Sequence, residues 1–426
     1  MSSDNKNSGA STLATTAKAT AGAGSAGAGS RWLARTLYEK AGRPPIRLLL
    51  WDGTEIRGPD PVATVHIHSR AALLRLLLHP DLYFGEAFMH GDLEVEGDLV
   101  RFLESLYRAR ATAQEARLSR VAQSTLSRAR RNTLNGSRNN IQHHYDLGND
   151  FYELWLDRAA MQYTCAYFPR AEATLEEAQV AKLDHVCRKL RLQPGETVVE
   201  AGCGWGGLAR HMARKYGVHV RAYNISHEQV AFARERARAE GLDDRVQYIE
   251  DDYRTIDGAC DAFVSIGMLE HVGLENYPAL SQAIDRVLKP NGRGLIHSIG
   301  RNRATGPMNP WIEKRIFPGA YPPSLREMLE IFEHGDFSVL DVENLRLHYA
   351  ETLRHWLLRF EQHVETIGRR FDADFVRAWR LYLAGSLAAF SSGTLQLFQV
   401  VFNRARSNDL PRTRAHLYVE TAEHLP

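Results

Sequence analysis

The second half of the chain alternates short apolar runs with amphipathic segments, which is typical of alternating strands and helices. The apolar runs predict strands at residues 196–202, 218–224, 246–251, 261–267 and 293–300. The amphipathic segments predict helices at residues 207–217, 226–241 and 277–289. This alternation predicts a doubly wound α/β sheet that binds ligands at the carboxyl ends of its strands.

Three local signals indicate where these helices begin and end. Gly217 can adopt the left-handed conformation that closes a helix, and Ser226 and Gln229 have the spacing of a capping box. The sequence Pro290-Asn291-Gly292 predicts the end of the third helix, because proline cannot continue a helix and Asn-Gly favours a turn. We expect residues 141–404 to form one domain.

A smaller folded unit is predicted at residues 31–107. Two strand-like runs are followed by two helix-like runs, at residues 46–58, 63–69, 70–78 and 99–109. A turn is expected at Asp52-Gly53, within the first run. Residues 1–30 are mostly Ala, Gly, Ser and Thr, which bury too little apolar surface to offset the entropy of ordering, so we expect a disordered head. Residues 405–426 are expected to form a tail.

Composition narrows the class of protein. The chain has 426 residues and a formal net charge of +2, so its overall field does not indicate nucleic-acid binding. Its four cysteines form no Cys-x-x-Cys pair, which argues against a disulfide framework or a zinc site, and we expect no metal. No apolar run reaches the roughly 18 residues of a membrane-spanning helix, and no secretory signal is visible. We expect a cytoplasmic protein.

A basic stretch at residues 108–140 separates the two folded units. It has one glutamate and eight arginines, a local excess of about seven positive charges. The arginines are Arg108, Arg110, Arg117, Arg120, Arg128, Arg130, Arg131 and Arg138. The stretch could be a solvated linker helix, or it could attach to anionic lipid at about 1 kcal/mol per basic residue. Nucleic acid is a weaker interpretation, because no recognition motif or interleaved aromatic residue accompanies the arginines.

The segment between the first strand and the first helix of the second unit is a glycine turn. Gly202, Gly204 and Gly207 satisfy G-x-G-x-x-G, which alone is a weak signal for a dinucleotide. A dinucleotide site also needs an acid at the end of the second strand, and that strand ends in Asn224. Glu200 instead precedes the glycines, where a carboxylate suits the positive sulfonium of S-adenosylmethionine. These residues favour a methyltransferase and leave a dehydrogenase open.

Motifs along residues 35–405 resemble the cyclopropane fatty acid synthase family, which includes the mycolic acid cyclopropane synthases and methyltransferases. They follow the order of that family: HYDLGNDFYELWLD, MQYTCAYF, VVEAGCGWGGLARHMA, EDDYRTI, SIGMLEHVG, LIHSIG, WIEKRIFPGAYPPS, HYAETLRHWLLRF and GTLQLFQVVF. Another motif, FGEAFMHGDLEVEGDL, resembles the N-terminal domain of the phospholipid-acting members. The resemblance implies a class I S-adenosylmethionine-dependent methyltransferase fold, which is Rossmann-like, preceded by a small lipid-associated α+β domain.

The resemblance further implies transfer of a methylene group from S-adenosylmethionine to the cis double bond of a phospholipid acyl chain. An alkene is a weak nucleophile, so it needs close, dry alignment with the sulfonium methyl group. Methyl transfer leaves a carbocation, which aromatic faces and a carboxylate stabilise. In the family, bound bicarbonate is thought to remove a proton from the new methyl group, so bicarbonate is expected as a second cofactor.

The family's site residues map onto two groups of positions. The positions matching its anion site are Cys165, Glu270, His297, Ile299 and Tyr349. The expected cofactor contacts are Tyr163, Glu200, Gly202, Gly204, Gly206, Asn224, Gln229, Asp252 and Tyr253. His297 and Tyr349 would donate to the anion, Ile299 would act through its backbone, and Glu270 would accept a hydrogen bond. Cys165 is expected to have a backbone and pocket role, because a buried cysteine usually acts as a small hydrophobe.

One position departs from the family. Many phospholipid-acting members carry a cysteine that has been regarded as an active-site residue, and this chain has Ser386 there. A serine is a far poorer nucleophile than a thiolate unless a base activates it, and no histidine lies close in this predicted helix. The alkene chemistry needs no enzyme nucleophile, so we expect Ser386 to lie near the acyl channel and contribute shape only.

Three functions remain to be compared. The first is a cyclopropane synthase that acts on membrane phospholipid from the inner face of the membrane, with a homodimer left open. The second is a methyltransferase that gives methyl- or methylene-branched acyl chains. The third is a catalytically inactive lipid-binding protein on the same fold. The intact glycine turn and Glu270 argue against the third, and His297 favours the first.

Overall fold

The computed structural model describes residues 27–118, 147–304 and 308–418. Most of the predicted head, most of the basic stretch and the end of the predicted tail lie outside the described residues. The N-terminal unit begins with a helix that starts at Ala28, slightly before the expected boundary at residue 31. Within the described ranges, no helix combines the length and the apolar character needed to cross a bilayer.

The N-terminal unit is an α+β domain, as predicted. Its elements are α1 (Ala28–Lys40), β1 (Arg47–Leu50), β2 (Glu55–Arg57), β3 (Ala63–Ile67), α2 (Arg70–Leu78), α3 (Pro80–Met89), β4 (Leu93–Gly97) and α4 (Leu99–Leu118). The strand order is β2-β1-β3-β4, with β1 and β3 parallel and the other pairs antiparallel. The predicted turn is present, since Asp52 Oδ1 accepts from the Thr54 N–H and Gly53 has a φ of +78°. Helix α4 continues through the expected boundary at residues 107 and 108.

The second unit contains the doubly wound sheet. Its strands are β5 (Thr197–Ala201), β6 (His219–Asn224), β7 (Val246–Glu250), β8 (Cys260–Ile266), β9 (Leu288–Gly300), β10 (Phe337–Asn344) and β11 (Gln396–Arg404). Its helices are α5 (Asn149–Glu153), α6 (Leu175–Lys189), α7 (Gly207–Tyr216), α8 (His227–Ala239), α9 (Tyr277–Val287), α10 (Pro310–Arg315), α11 (Leu325–His334), α12 (Arg346–Gln362), α13 (Val364–Arg370) and α14 (Ala373–Ser391).

The strand order of this sheet is β10-β11-β9-β8-β5-β6-β7. Strands β5 to β9 are parallel, and β11 is antiparallel to both of its neighbours. This is the Rossmann-like arrangement that the resemblance implied. It brings the carboxyl ends of β5, β6, β8 and β9 to one edge, where such sheets bind their ligands.

The prediction that Pro290-Asn291-Gly292 ends a helix was wrong. Helix α9 already ends at Val287, because Leu288 has an extended ψ of 121°, and the Pro290–Gly292 segment lies inside strand β9. The register between β8 and β9 shifts next to Cys260. An irregular strand segment of this kind tolerates proline, because it lies outside the regular hydrogen-bond ladder.

The capping box predicted at the start of α8 is half formed. Ser226 Oγ accepts from the Gln229 N–H at 3.4 Å, but the Gln229 side chain accepts instead from Asn224 Nδ2 at 2.8 Å. Both bonds of a capping box are present at Thr174, before α6, and at Ser324, before α11. The side chain of Gln229 therefore bonds to Asn224 at the end of strand β6 and does not cap its own helix.

The two units share one hydrophobic core. Helix α14 packs against α3 and α4, and apolar residues of both units belong to the same buried cluster. Gly85 of α3 lies so close to Trp311 of α10 that a Cβ at this glycine would come within 2.3 Å of the indole ring. The Arg315 guanidinium also donates two hydrogen bonds to Glu86, at 2.8 and 2.7 Å. These contacts hold the N-terminal unit against the second domain.

Candidate active site

The glycine turn after β5 forms one wall of a cleft of about 130 Å³ at the carboxyl edge of the sheet. Gly202 and Gly204 line this cleft with φ values of +82° and +52°, which residues with a Cβ rarely adopt. A Cβ on Gly204 would meet no atom within 4 Å, so this backbone borders open space. Gly206, a predicted cofactor contact, is not among the described residues that line the cleft. Its Cβ would lie 2.5 Å from the Tyr248 ring, so its small size serves packing.

Glu200 brings a buried carboxylate to the cleft. It is 2% exposed, and its Oε2 has no hydrogen-bond partner among the described residues. Burial raises its pKa to about 7, against the attraction of Lys182 and Arg210. An unsatisfied buried polar atom costs about 1–3 kcal/mol, so a ligand with positive charge would relieve this cost. S-adenosylmethionine carries such charge, whereas the pyrophosphate of a dinucleotide would be repelled.

The end of strand β6 braces the glycine turn. Asn224 Nδ2 donates to the Gly204 carbonyl at 3.2 Å and to Gln229 Oε1 at 2.8 Å, and all three residues line the cleft. Asp252 and Tyr253, which follow β7, also line it. The Tyr253 hydroxyl is buried with no hydrogen-bond partner in the described ranges, and burial raises its pKa to about 12. All predicted cofactor residues except Gly206 therefore surround one space.

The loop that carries Tyr163 lines the cleft, and the side chains of Asp157 and Lys182 hold it in place. Asp157 accepts hydrogen bonds from the backbone N–H groups of residues 160–162, at 2.7, 3.1 and 2.7 Å. Lys182 of α6 is fully buried and donates to Thr164 Oγ1 at 3.0 Å. Burial lowers the pKa of this ammonium group to about 8. Lys182 was not predicted as a site residue, because nothing in its local sequence distinguishes it from a surface lysine.

A second cavity, of about 470 Å³, adjoins the cofactor cleft and extends between the two units. Its walls are mainly apolar and come from helices and strands of the N-terminal unit and from α12 and α14. Four residues line both spaces: Tyr163, Thr164, Gly267 and His271. A cofactor in the cleft and an apolar chain in the cavity would therefore meet at this junction.

Five of the six predicted catalytic residues line the cavity: Glu270, His297, Ile299, Tyr349 and Ser386. Cys165 is not among the described residues that border either space. Its side chain is fully buried and its Sγ donates to the Ala166 carbonyl at 3.0 Å. Burial raises the pKa of the Cys165 thiol, so the group stays neutral. The expected pocket role of Cys165 does not extend to its side chain, which lies behind the wall.

Glu270 lies in a short 3₁₀ helix, Leu269–His271, and is 6% exposed. Its Oε1 accepts from the Ile299 N–H at 2.6 Å, while its Oε2 has no hydrogen-bond partner among the described residues. Burial raises the pKa of this carboxyl group to about 7. We expected Ile299 to act through its backbone. In the structure, its N–H donates to Glu270 and so holds this carboxylate in place.

His297 lies on strand β9, two residues before Ile299, and is 2% exposed. Burial, together with the nearby Lys182 and Lys189, lowers its pKa well below the usual value, so the imidazole is neutral. Its Nδ1 lies 3.1 Å from Gln399 Nε2. A neutral imidazole that accepts at Nδ1 carries its proton on Nε2, which makes Nε2–H the donor available to the cavity.

Aromatic side chains surround the junction of the two spaces. The hydroxyl groups of Tyr163 and Tyr382 are 2.8 Å apart, and the Phe317 ring meets the Tyr382 ring edge-on at 5.5 Å. The His271 ring lies 5.9 Å from Phe317. Sequence analysis assigned no role to His271, Phe317 or Tyr382. His271 and Phe317 lie in the SIGMLEHVG and WIEKRIFPGAYPPS motifs, so the resemblance could have indicated these two.

Comparisons with known proteins agree with this geometry. Residues 132–400 match a family described as mycolic acid cyclopropane synthetase, and residues 33–116 match a domain of unknown function, DUF7884. The chain is 37% identical to a probable fatty acid methyltransferase of Pseudomonas putida, covering 88% of this chain and 96% of that protein. It is 38% identical to the cyclopropane-fatty-acyl-phospholipid synthase of Escherichia coli strain K12, covering 85% and 93% of the two chains.

Solved structures of cyclopropane synthases are also similar to this chain. The mycolic acid cyclopropane synthase CmaA1 in complex with SAH and CTAB is 31% identical, with a TM-score of 0.59, over 62% of this chain and 98% of that chain. The cyclopropane synthase MmaA2 of Mycobacterium tuberculosis is 29% identical, with a TM-score of 0.58 and the same coverage. The chain therefore belongs to the mycolic acid cyclopropane synthetase family and is an S-adenosylmethionine-dependent methyltransferase.

Proposed function

We propose that the chain converts the cis double bond of a phospholipid acyl chain into a cyclopropane ring, with S-adenosylmethionine as the source of the methylene group. The observation that carries this proposal is the placement of Glu270 and His297 in the wall of an apolar cavity that adjoins the cofactor cleft. The cavity suits an acyl chain, and the pair suits the removal of a proton. The name of the Escherichia coli relative supports a phospholipid as the substrate.

Methyl transfer would take place at the junction of the cofactor cleft and the apolar cavity. The alkene attacks the methyl carbon there, the carbon–sulfur bond breaks, and positive charge is left on the acyl chain. Tyr163, Phe317 and Tyr382 line the cavity, and their aromatic rings would stabilise this cation. The apolar walls exclude water, which would otherwise capture the cation as an alcohol.

Bicarbonate fits the polar groups that border the cavity. Glu270 Oε2 needs a donor, and His297 Nε2–H needs an acceptor, so a ligand that binds both must donate and accept. Bicarbonate has one O–H group and anionic oxygens, whereas chloride and sulfate only accept and would be repelled by Glu270. When bound, bicarbonate would supply the base for the proton of the transferred methyl group. The Tyr349 hydroxyl, in the same cavity wall, is a second candidate donor.

A methyltransferase that forms methyl- or methylene-branched chains is the second candidate function. It is favoured by the names of two relatives, the probable fatty acid methyltransferase and the tuberculostearic acid methyltransferase UfaA1 of Mycobacterium tuberculosis. The Glu270–His297 site favours ring closure, because closing the ring requires loss of a proton from the new methyl group.

A phospholipid substrate would bring the chain to the inner face of the membrane as a peripheral protein. Arg110, near the start of the basic stretch, lines the cavity and forms an ion pair with Asp81 at 2.5 Å. The basic stretch thus begins at the edge of the proposed lipid cavity. This position supports attachment to anionic lipid over a simple linker, while residues 119–146 lie outside the described part of the chain.

The test uses the purified chain, S-adenosylmethionine and phospholipid vesicles with cis-monounsaturated or saturated acyl chains. We expect release of S-adenosylhomocysteine with the unsaturated vesicles alone, slowed in bicarbonate-depleted buffer and restored by added bicarbonate. His297→Ala should lose turnover and keep cofactor binding by calorimetry, while the exposed His219→Ala serves as the control. Equal rates with saturated vesicles, or full activity of His297→Ala, would refute the proposal.

A further inference from the structure

A row of buried polar side chains crosses the sheet behind His297. Glu343 on β10, Gln399 on β11 and His297 on β9 are direct partners in the strand registers. Gln399 is fully buried, His297 is 2% exposed, and Lys189 at the end of α6 is 4% exposed. Polar groups this deep in an apolar sheet are costly unless every one is paired, so their hydrogen bonds define how each side chain is oriented.

Three hydrogen bonds link these side chains in order. Lys189 Nζ donates to Glu343 Oε2 at 2.6 Å and to Gln399 Oε1 at 2.7 Å. Gln399 Nε2 then lies 3.1 Å from His297 Nδ1. Burial alone would raise the pKa of Glu343, but hydrogen bonds from His185 and Lys189 lower it to about 2. The carboxylate is therefore ionised and holds the buried ammonium group in place.

The ammonium group fixes the orientation of the Gln399 amide. An ammonium group only donates, so the amide must present its oxygen to Lys189 and its NH₂ to His297. An NH₂ group can donate only to an unprotonated nitrogen, so His297 Nδ1 carries no proton. The proton of the neutral ring must then lie on Nε2, the nitrogen that is left for the cavity.

We propose that Lys189 and Gln399 are positioning residues that select the Nε2–H tautomer of His297 and so make it a donor to the anion. This inference rests on the anion site of the proposed function. Without the ammonium group, the amide could turn over and accept from Nδ1–H. Nε2 would then present a lone pair to the cavity, which is also lined by Glu270 with an oxygen that lacks a partner among the described residues, and both groups would repel an anion.

The most specific test of this role is Gln399→Glu, which keeps the size of the side chain and its contact with Lys189. A carboxylate only accepts, so it should draw the His297 proton to Nδ1. The matched control is Gln396→Glu on the same strand. Gln396 is also buried, but it bonds to Asn344 and Gly393 and does not contact His297. Lys189→Met is a second variant, which removes the ammonium group and keeps an apolar stem.

The tautomer is read from the ring carbon and nitrogen chemical shifts of labelled protein, with the His297 signals assigned by their loss in His297→Ala. We expect Nε2–H in the wild type and in Gln396→Glu, and Nδ1–H in Gln399→Glu. At limiting bicarbonate, Gln399→Glu and Lys189→Met should be slower by about tenfold or more, as for other residues that orient a histidine, with unchanged affinity for S-adenosylmethionine.

Two outcomes separate this inference from the proposed function. If the rate of the wild type does not depend on bicarbonate, the proposed anion site is wrong, and so is the proposed purpose of Lys189 and Gln399. If the wild type depends on bicarbonate but Gln399→Glu keeps the Nε2–H tautomer or the full rate at limiting bicarbonate, the positioning role of Lys189 and Gln399 is wrong. The anion site would then remain supported.

Discussion

The carboxylate of Glu270, which lines an apolar cavity, accepts a hydrogen bond from the backbone N–H of Ile299 at 2.6 Å through one oxygen, while its other oxygen has no hydrogen-bond partner among the described residues. This relationship fixes the carboxylate in place and keeps one acceptor free. A buried, half-satisfied carboxylate lowers stability, so its presence indicates that the free oxygen has a function.

Glu270→Gln should therefore reduce activity and raise stability. Burial raises the pKa of Glu270 to about 7 in the folded chain, above the ordinary glutamate value of 4.5. The unfolded chain thus loses this proton at lower pH than the folded chain, and stability is lost as pH rises from about 4.5 to 7. The variant does not titrate, so at pH 8 its free energy of unfolding should exceed that of wild type by up to about 3 kcal/mol. Turnover should fall roughly a hundredfold or more.

Denaturant unfolding at pH 5 and pH 8, in buffer without bicarbonate, checks the stability prediction. The difference between variant and wild type should grow with pH, while the exposed control Glu172→Gln should show little change. A Glu270→Gln variant that is less stable than wild type at pH 8 would show that the carboxylate is structural.

Gly204→Arg should abolish cofactor binding. A Cβ at this position faces open space in the cleft, so the arginine side chain would occupy the volume meant for S-adenosylmethionine and add a repelling positive charge. Gly241→Arg is the matched control, because Gly241 also has positive φ and open space but lies outside the cleft lining. Calorimetry should show binding for the control alone. Equal binding by both variants would remove the glycine turn from the cofactor site.

Cys165→Ala should keep most of its activity. The thiol is fully buried, its pKa is raised by burial, and it lies behind the cavity wall, so it cannot serve as a nucleophile. The variant removes one small buried group, which should cost about 1 kcal/mol of stability. All four cysteines are buried, so a thiol-alkylating reagent should leave the native enzyme active. Rapid inactivation tied to one modified cysteine would contradict this assignment.

Ser386 should matter by its size alone. It lines the cavity on α14, so Ser386→Phe should fill space needed by the acyl chain and lower turnover, while Ser386→Ala should be nearly unchanged. Ser386→Cys should gain little. Ala373→Phe is the control, because Ala373 is an exposed residue in the first turn of the same helix. Rates with one vesicle preparation decide the comparison. A large gain in Ser386→Cys would identify a true nucleophile position.

The sequence predicted features that depend on local pattern. The strand before Gly202, the helix closed by Gly217 and the hairpin turn at Asp52-Gly53 follow from apolar periodicity and glycine conformation, which neighbouring residues determine. The error at Pro290-Asn291-Gly292 has the same origin, because the local signal for a helix stop is indistinguishable from that of an irregular strand.

Features that depend on distant residues were not predicted. Gln399 follows His297 by 102 positions, and the register of β11 with β9 pairs them. Lys189 precedes Gln399 by 210 positions and reaches it from the end of helix α6. The resemblance indicated that Ile299 acts through its backbone, but it could not show that Glu270 takes this N–H. The side chain of Cys165 likewise is not among the described residues that line either cavity, and the reason is tertiary, because it is fully buried with its Sγ 3.9 Å from the carbonyl of the distant Leu345.

Ring formation on the acyl chain is tested most directly by following the methyl hydrogens of S-adenosylmethionine into the lipid. The purified chain is incubated with cis-monounsaturated phospholipid vesicles and S-adenosylmethionine labelled with deuterium at all three methyl positions, and the product is analysed by mass spectrometry and NMR. We expect a cyclopropane ring whose new carbon keeps two of the three deuterium atoms, because one is lost in the proton-removal step. A product that keeps all three on a methyl branch, or one without a ring, would contradict it.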